Sequence, residues 1–128
     1  MLLTTILLLF LTQKTFADSD TAKSYCVMNS VTGEIVAEKE SDTKLPMAST
    51  TKIMTLLVAL ENSNPEDVVT VSKTAVSEEG SSAYLKPGAR ITMRDLCYGL
   101  MLNSGNDAAV AIAEHISETT DDFAEFMN

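Results

Sequence analysis

Two short words in this chain carry the residue types of a serine nucleophile and its base. The first, Ser49-Thr50-Thr51-Lys52, sets a hydroxyl and an amine three residues apart at the start of a helical pattern. That spacing leaves them roughly 60° apart around the axis, close enough for the amine to approach the hydroxyl. A serine hydroxyl attacks poorly until a base takes its proton, and a lysine at its ordinary pKa of about 10.4 is protonated in neutral water. Burial disfavours the charged amine, and the apolar run from Ile53 to Leu60 supplies that burial. The helix start adds N–H donors and a positive field beside Ser49, which favour an anionic oxygen developing there.

The second word is Ser104-Gly105-Asn106, the only S-x-N in the chain, set between two helical patterns. A hydroxyl and a carboxamide on one turn can pass a proton and hold a peptide amide. Ordinary turn punctuation uses the same residues, so this word alone does not establish chemistry. Another S-x-x-K word, Ser41-Asp42-Thr43-Lys44, lies in a polar stretch before Pro46 and is read as a solvated turn. The composition yields about 0.7 such words by chance, so context separates Ser49 from Ser41.

Several elements must position these residues. Tyr25–Met28 and Glu34–Glu38 read as a hairpin around Asn29–Gly33. A core helix of about 14 residues is predicted from Ser49 to Asn62, closed by Asn64-Pro65. Val68–Val71 fits a short strand, and Ser77–Pro87 an irregular surface loop. Thr92 with Asp95 resembles a capping box opening a helix through Leu96, Leu100 and Met101. Asp107 is then expected to cap a helix from Ala108 to His115, whose alanines permit close approach to a neighbour. A third helix is predicted after Thr120, running into Asn128.

The chain has 128 residues, enough for one core, with a formal charge of -9 that argues against binding a polyanion such as nucleic acid. Leu2–Leu11 is too short to span a membrane. With small Ala17 before Asp18, it reads as an export signal cleaved after residue 17. Cys26 and Cys97 lack metal or redox spacing and are expected to be free and buried, and the seven Met to fill the core. His115 reads as surface structure near a helix end, and Lys86, Arg90 and Arg94 as a solvated face. No metal or cofactor is expected.

Ala48–Thr55, Gly80-Ser81-Ser82 and the run from Leu96 through Asn103-Ser104-Gly105-Asn106-Asp107 to His115 together resemble the D-alanyl-D-alanine carboxypeptidases, low-molecular-mass serine penicillin-binding proteins. The resemblance covers Tyr25 to Asn128. It implies an α/β (α+β) penicillin-binding protein/β-lactamase-like transpeptidase fold, an antiparallel sheet flanked by helices. By resemblance, Ser49 is the acylated nucleophile, Lys52 its base, Ser104 a proton relay and Asn106 a substrate-binding residue. The substrate implied is a peptidoglycan stem peptide, with β-lactams as acylating inhibitors, and the site of action is extracytoplasmic, in the periplasm or on the outer face of the cytoplasmic membrane.

One departure stands out: Lys-Thr-Gly, the family's third motif, occurs nowhere in the 128 residues. On this reading residues 18–128 are the N-terminal part of a catalytic domain whose C-terminal half and membrane anchor are missing, and this length alone is expected to be inactive. Two alternatives stay open, a β-lactamase-like hydrolase and a truncated non-catalytic chain. Gly105 in place of the Asp of S-D-N counts against the first.

Overall fold

Two strand-forming runs flank a segment that cannot stay extended, since Asn29 turns the chain and Gly33 closes it. A computed structural model describes residues 21–128, so the proposed export signal lies outside the described residues. Strand β1 (Tyr25–Met28) pairs antiparallel with β2 (Ile35–Lys39), Tyr25 opposite Lys39, with a bulge at Val27/Met28. The Asn29 side chain accepts from Val31 N–H at 2.9 Å, and Gly33, at φ +75°, donates back to the Asn29 carbonyl at 2.8 Å. That positive φ is one a glycine adopts without penalty. The hairpin belongs to one compact unit ending at Leu45; Pro46–Asn128 form a second.

Within the second unit, helix α1 (Thr51–Asn62) follows Pro46 after one tight turn. Its first N–H groups are satisfied by i to i−3 bonds, Thr51 to Ala48 O, Lys52 to Ser49 O and Ile53 to Thr50 O, at 3.0 to 3.1 Å. Ser49 therefore precedes the helix proper, and α1 has 12 residues instead of the 14 predicted. The chain then forms β3 (Val68–Thr70), a four-residue helix α2 (Lys73–Val76), the irregular 77–89 segment and β4 (Arg90–Thr92). Strands β3 and β4 pair antiparallel, Val69 opposite Ile91. The sequence reading missed α2 and β4, each too short to show a period; Ser72 caps α2 by accepting from Ala75 N–H at 2.9 Å.

Thr92 ends β4 and caps helix α3 (Met93–Leu102), accepting from Asp95 N–H at 3.1 Å and donating to its carboxylate at 2.8 Å. The free donors of Met93 and Arg94 are taken by the carbonyls of Asp67 and Pro65. Helix α4 (Asn106–Ser117) is preceded by Gly105, and α5 (Thr120–Phe126) by Thr119, which accepts from Asp122 N–H at 3.0 Å. The last helix ends at Phe126 instead of running to Asn128, and Met127 caps it.

These helices meet over one core of Val58 and Ala59 from α1, Met93, Leu96 and Leu100 from α3, and Ala108, Ala111 and Ile112 from α4. The small Ala108 and Ala111 side chains let backbones approach, as the sequence suggested. Two expectations fail. Cys26 is exposed instead of buried, and Met28, Met47, Met54 and Met101 are exposed while Met93 is buried in the core. Both cysteines are free, and burial pushes the half-buried Cys97 thiol up. Helix α1, apolar nearly all round in sequence, buries Lys52, Thr55, Val58 and Ala59 and leaves Ile53, Leu57 and Leu60 exposed. Among the described residues no helix is long and apolar enough to cross a membrane.

Leu100 is fully buried where α1, α3 and α4 converge. Leu100→Ala is expected to cost about 2–5 kcal/mol in urea denaturation, as buried leucine truncations do; a loss below about 1 kcal/mol would show that this junction relaxes freely.

Candidate active site

A lysine amine has at most three N–H bonds to give, and at Lys52 three oxygens stand ready to receive them. Its Nζ lies 2.7 Å from Asn106 Oδ1, 3.1 Å from Ser104 Oγ and 3.5 Å from Ser49 Oγ. The Lys52 residue is only 6% exposed. None of these partners is a carboxylate, so the amine is held by neutral oxygens alone. All four residues belong to the Pro46–Asn128 unit. The two words read from the sequence, 52 residues apart, thus meet at one nitrogen.

Each side chain is placed by its local backbone. The tight turn Ala48–Thr51 brings Ser49 one helical step before Lys52 and on the same side. Ser104 sits in the α3–α4 turn at φ +53°, the left-handed region, which costs a residue bearing a Cβ of order 1–3 kcal/mol. Such a conformation persists only where its surroundings hold it. Here Asn103 and Gly105 N–H both return to the Gly99 carbonyl, at 3.3 and 3.2 Å, and close the turn on either side of Ser104.

Asn106 opens α4. Its backbone N–H donates to Ser81 O at 2.7 Å and its Nδ2 to Glu79 O at 2.5 Å. A carbonyl at Glu79 demands the amide nitrogen, which leaves Oδ1 for Lys52 and fixes the carboxamide orientation. Ser49, Lys52, Thr55, Glu78, Asn106 and Val110 line part of a groove of about 440 Å³ beside this cluster. A second concavity of about 400 Å³ lies between α1 and α3, but Leu56, Leu60, Met93, Tyr98 and Met101 make it apolar and it holds none of the four residues. Among the described residues no group of three His, Cys, Asp or Glu stands together.

The remaining sequence candidates are dispersed. Ser41 donates to Glu38 Oε2 at 2.8 Å in the hairpin unit, so the second S-x-x-K word is a turn, as read. Arg94 pairs with Glu66 at 2.5 Å on the surface, and His115, in the last turn of α4, lies 3.9 Å from Asp67.

Sequence reasoning misplaced Asp107. It is no cap: Gly105 occupies that position and Asp107 lies in the first turn of α4, 2% exposed. Its Oδ1 accepts from Ala83 N–H at 2.8 Å and Ala108 N–H at 2.9 Å; its Oδ2 accepts from Ser82 Oγ at 2.7 Å and Leu85 N–H at 3.0 Å. Burial pushes this carboxyl up, but the donors at Ala83, Leu85, Ser82 and Ala108 outweigh it and hold the group below the usual carboxylate range. The available signal was the 77–87 loop itself, rich in N–H groups with no strand partner and in need of an acceptor.

A family model described as D-alanyl-D-alanine carboxypeptidase matches residues 12–128. The chain is 38% identical over 112 residues to D-alanyl-D-alanine carboxypeptidase DacF of Bacillus subtilis, covering 84% of this chain and 29% of that protein. The solved D-alanyl-D-alanine carboxypeptidase DacD of Francisella tularensis superposes with a TM-score of 0.77 at 41% identity, covering 84% of this chain and 27% of that one. A solved D-alanyl-D-alanine carboxypeptidase of Mycobacterium tuberculosis H37Rv superposes with a TM-score of 0.78 at 32% identity, covering 84% of this chain and 40% of that one. The chain therefore spans less than half the length of each.

Because the Asp107 carboxyl is depressed in the folded state, its stabilisation is present above the unfolded value of about 3.9 and is lost as pH falls through the lower folded value. Urea midpoints measured from about pH 6 down to pH 2 should fall less steeply in Asp107→Asn than in the parent. Equal slopes would show that this carboxylate does not gain its proton-linked stability on folding.

Proposed function

The chain belongs to the D-alanyl-D-alanine carboxypeptidase family, and from that premise we propose that it supplies the nucleophilic half of a serine-type D-Ala-D-Ala carboxypeptidase site. The observation that carries the proposal is the convergence of Ser49, Ser104 and Asn106 on Lys52 Nζ.

In the proposed reaction Ser49 Oγ attacks the carbonyl carbon of the peptide bond joining the two terminal D-alanines, while Lys52 Nζ takes the hydroxyl proton. The backbone N–H of Ser49, at the positive end of α1, is one donor to the oxyanion that develops. Collapse of the tetrahedral intermediate breaks the C–N bond. The leaving amine of D-alanine receives its proton from Lys52 by way of Ser104, whose hydroxyl lies 3.1 Å from Lys52 Nζ. An ester on Ser49 remains, and water, deprotonated by the same relay, releases the shortened stem peptide. Asn106 holds Lys52 on one side and faces the groove, where its carboxamide orients the substrate amide. A β-lactam presents an equivalent acyl group and acylates the same oxygen.

The substrate class places the work outside the cytoplasmic membrane, in the periplasm or on its outer face. We assign residues 1–17 to the export signal and residues 18–128 to the N-terminal part of the catalytic domain. Stem peptides are its partners, and nucleic acid is disfavoured by the charge of -9.

Labelling with a fluorescent penicillin is the test, made on the intact protein, meaning the full-length catalytic domain that carries these residues and not residues 1–128 alone. Ser49→Ala should abolish the label and Lys52→Arg, which keeps the cation but gives up the base, should slow labelling by about 10²–10⁴-fold. Ser41→Ala should label like the parent. Persistent labelling of Ser49→Ala would remove the nucleophile assignment.

A further inference from the structure

We propose that Asp107 is a positioning residue: it latches the 79–85 loop onto the first turn of α4 and, through that loop, fixes the Asn106 carboxamide against Lys52. The inference rests on the reading of the site given above.

A carboxylate at 2% exposure is costly unless its charge is compensated, and no cation pairs with Asp107 among the described residues. Its compensation comes from four hydrogen-bond donors, three of them from the loop, at Ser82, Ala83 and Leu85. Ser82 is itself locked, donating to Asp107 Oδ2 while accepting from Tyr84 N–H at 2.8 Å. An ionised carboxylate only accepts, with two oxygens and room for about four donors, so it suits a loop that presents N–H groups and has no strand to receive them. No neutral side chain of the same size offers that valence.

The same loop returns two carbonyls to the neighbouring residue. Ser81 O takes the Asn106 backbone N–H and Glu79 O takes Nδ2, so Oδ1 is left directed at Lys52. Loop and carboxamide thus form a closed circuit in which Asp107 holds the loop and the loop holds Asn106. Two glycines show how tightly it closes. A Cβ on Gly105 would stand 2.8 Å from Asp107 Oδ1 and 2.9 Å from Ala83 N. A Cβ on Gly80, at φ +96°, would stand 2.9 Å from Asn106 Nδ2. The middle residue of Ser104-Gly105-Asn106 is therefore glycine because the latch passes over it.

The test uses the intact protein with Asp107→Asn, Asn106→Ala and the double variant, read by penicillin acylation rate and by amide hydrogen exchange. Asp107→Asn is expected to slow acylation about tenfold or more, and the double variant to be no slower than Asn106→Ala alone, since residues acting as one unit are not additive. Exchange at Ala83, Leu85 and also Asn106 N–H should quicken by about 100-fold through local opening. Multiplicative rate losses, or loosening at Ala83 and Leu85 with Asn106 exchange unchanged, would overturn the latch. Parent-like acylation by Asn106→Ala would count against the site assignment instead, and exchange at Asn106 would still decide the latch. If Asp107→Asn does not fold, Ser82→Ala removes one donor and is judged by the same three amides.

Discussion

Three oxygens from two well-separated stretches of the chain must converge on one buried amine, and the rest of the second unit is arranged around that demand. Lys52 brings its nitrogen from the first turn of α1, where Ser49 stands at the outer edge of hydrogen-bonding range. The other two oxygens come from the α3–α4 turn and the first residue of α4, so the α1, α3 and α4 axes have to be fixed relative to one another. The shared core of Val58, Ala59, Leu96, Leu100, Ala108 and Ile112 does this. A buried core is close-packed and poorly compressible, which makes it a suitable frame for contacts whose tolerance is a few tenths of an ångström.

Stability is yielded locally to meet the same demand. Ser104 occupies a left-handed conformation and Lys52 a buried position without a counter-ion. Asp107 likewise lies buried without a cation, yet every donor it needs is supplied by backbone and one serine. Among the described residues these two buried ionisable groups are thus treated oppositely: the lysine is given a few neutral oxygens, the carboxylate a full set of donors. The lysine is bonded by two serine hydroxyls and one carboxamide, whereas the saturated carboxylate is suited to holding backbone in place. The short β3–β4 ribbon completes the frame, because its last residue caps α3 and the loop before it carries the groups that Asp107 binds.

Much of this was legible in the sequence where the signal is local. Asn29 and Gly33 mark the hairpin, Thr92 with Asp95 marks the start of α3, and the Ser49–Lys52 spacing puts a hydroxyl beside an amine whatever the tertiary context. Ser104 and Asn106 were legible as punctuation and gained chemical meaning from resemblance. The parts that stayed hidden are those set by partners far along the chain. Asp107, two residues after a glycine, reads as a helix cap, and only donors 22 to 25 residues earlier reveal its task. Burial on α1 was hidden for a similar reason, since a run apolar on every side does not say which stripe, Val58 and Ala59 or Ile53 and Leu57, will be covered. Four-residue α2 and three-residue β4 lie below the length at which any period is visible.

The most direct measurement is to locate the acyl group. The intact protein, treated with a β-lactam and digested, should yield by tandem mass spectrometry a single adduct carried on Ser49 within the peptide that ends at Lys52. An adduct on Ser104, Thr50 or any other side chain, with Ser49 unmodified, would contradict the account.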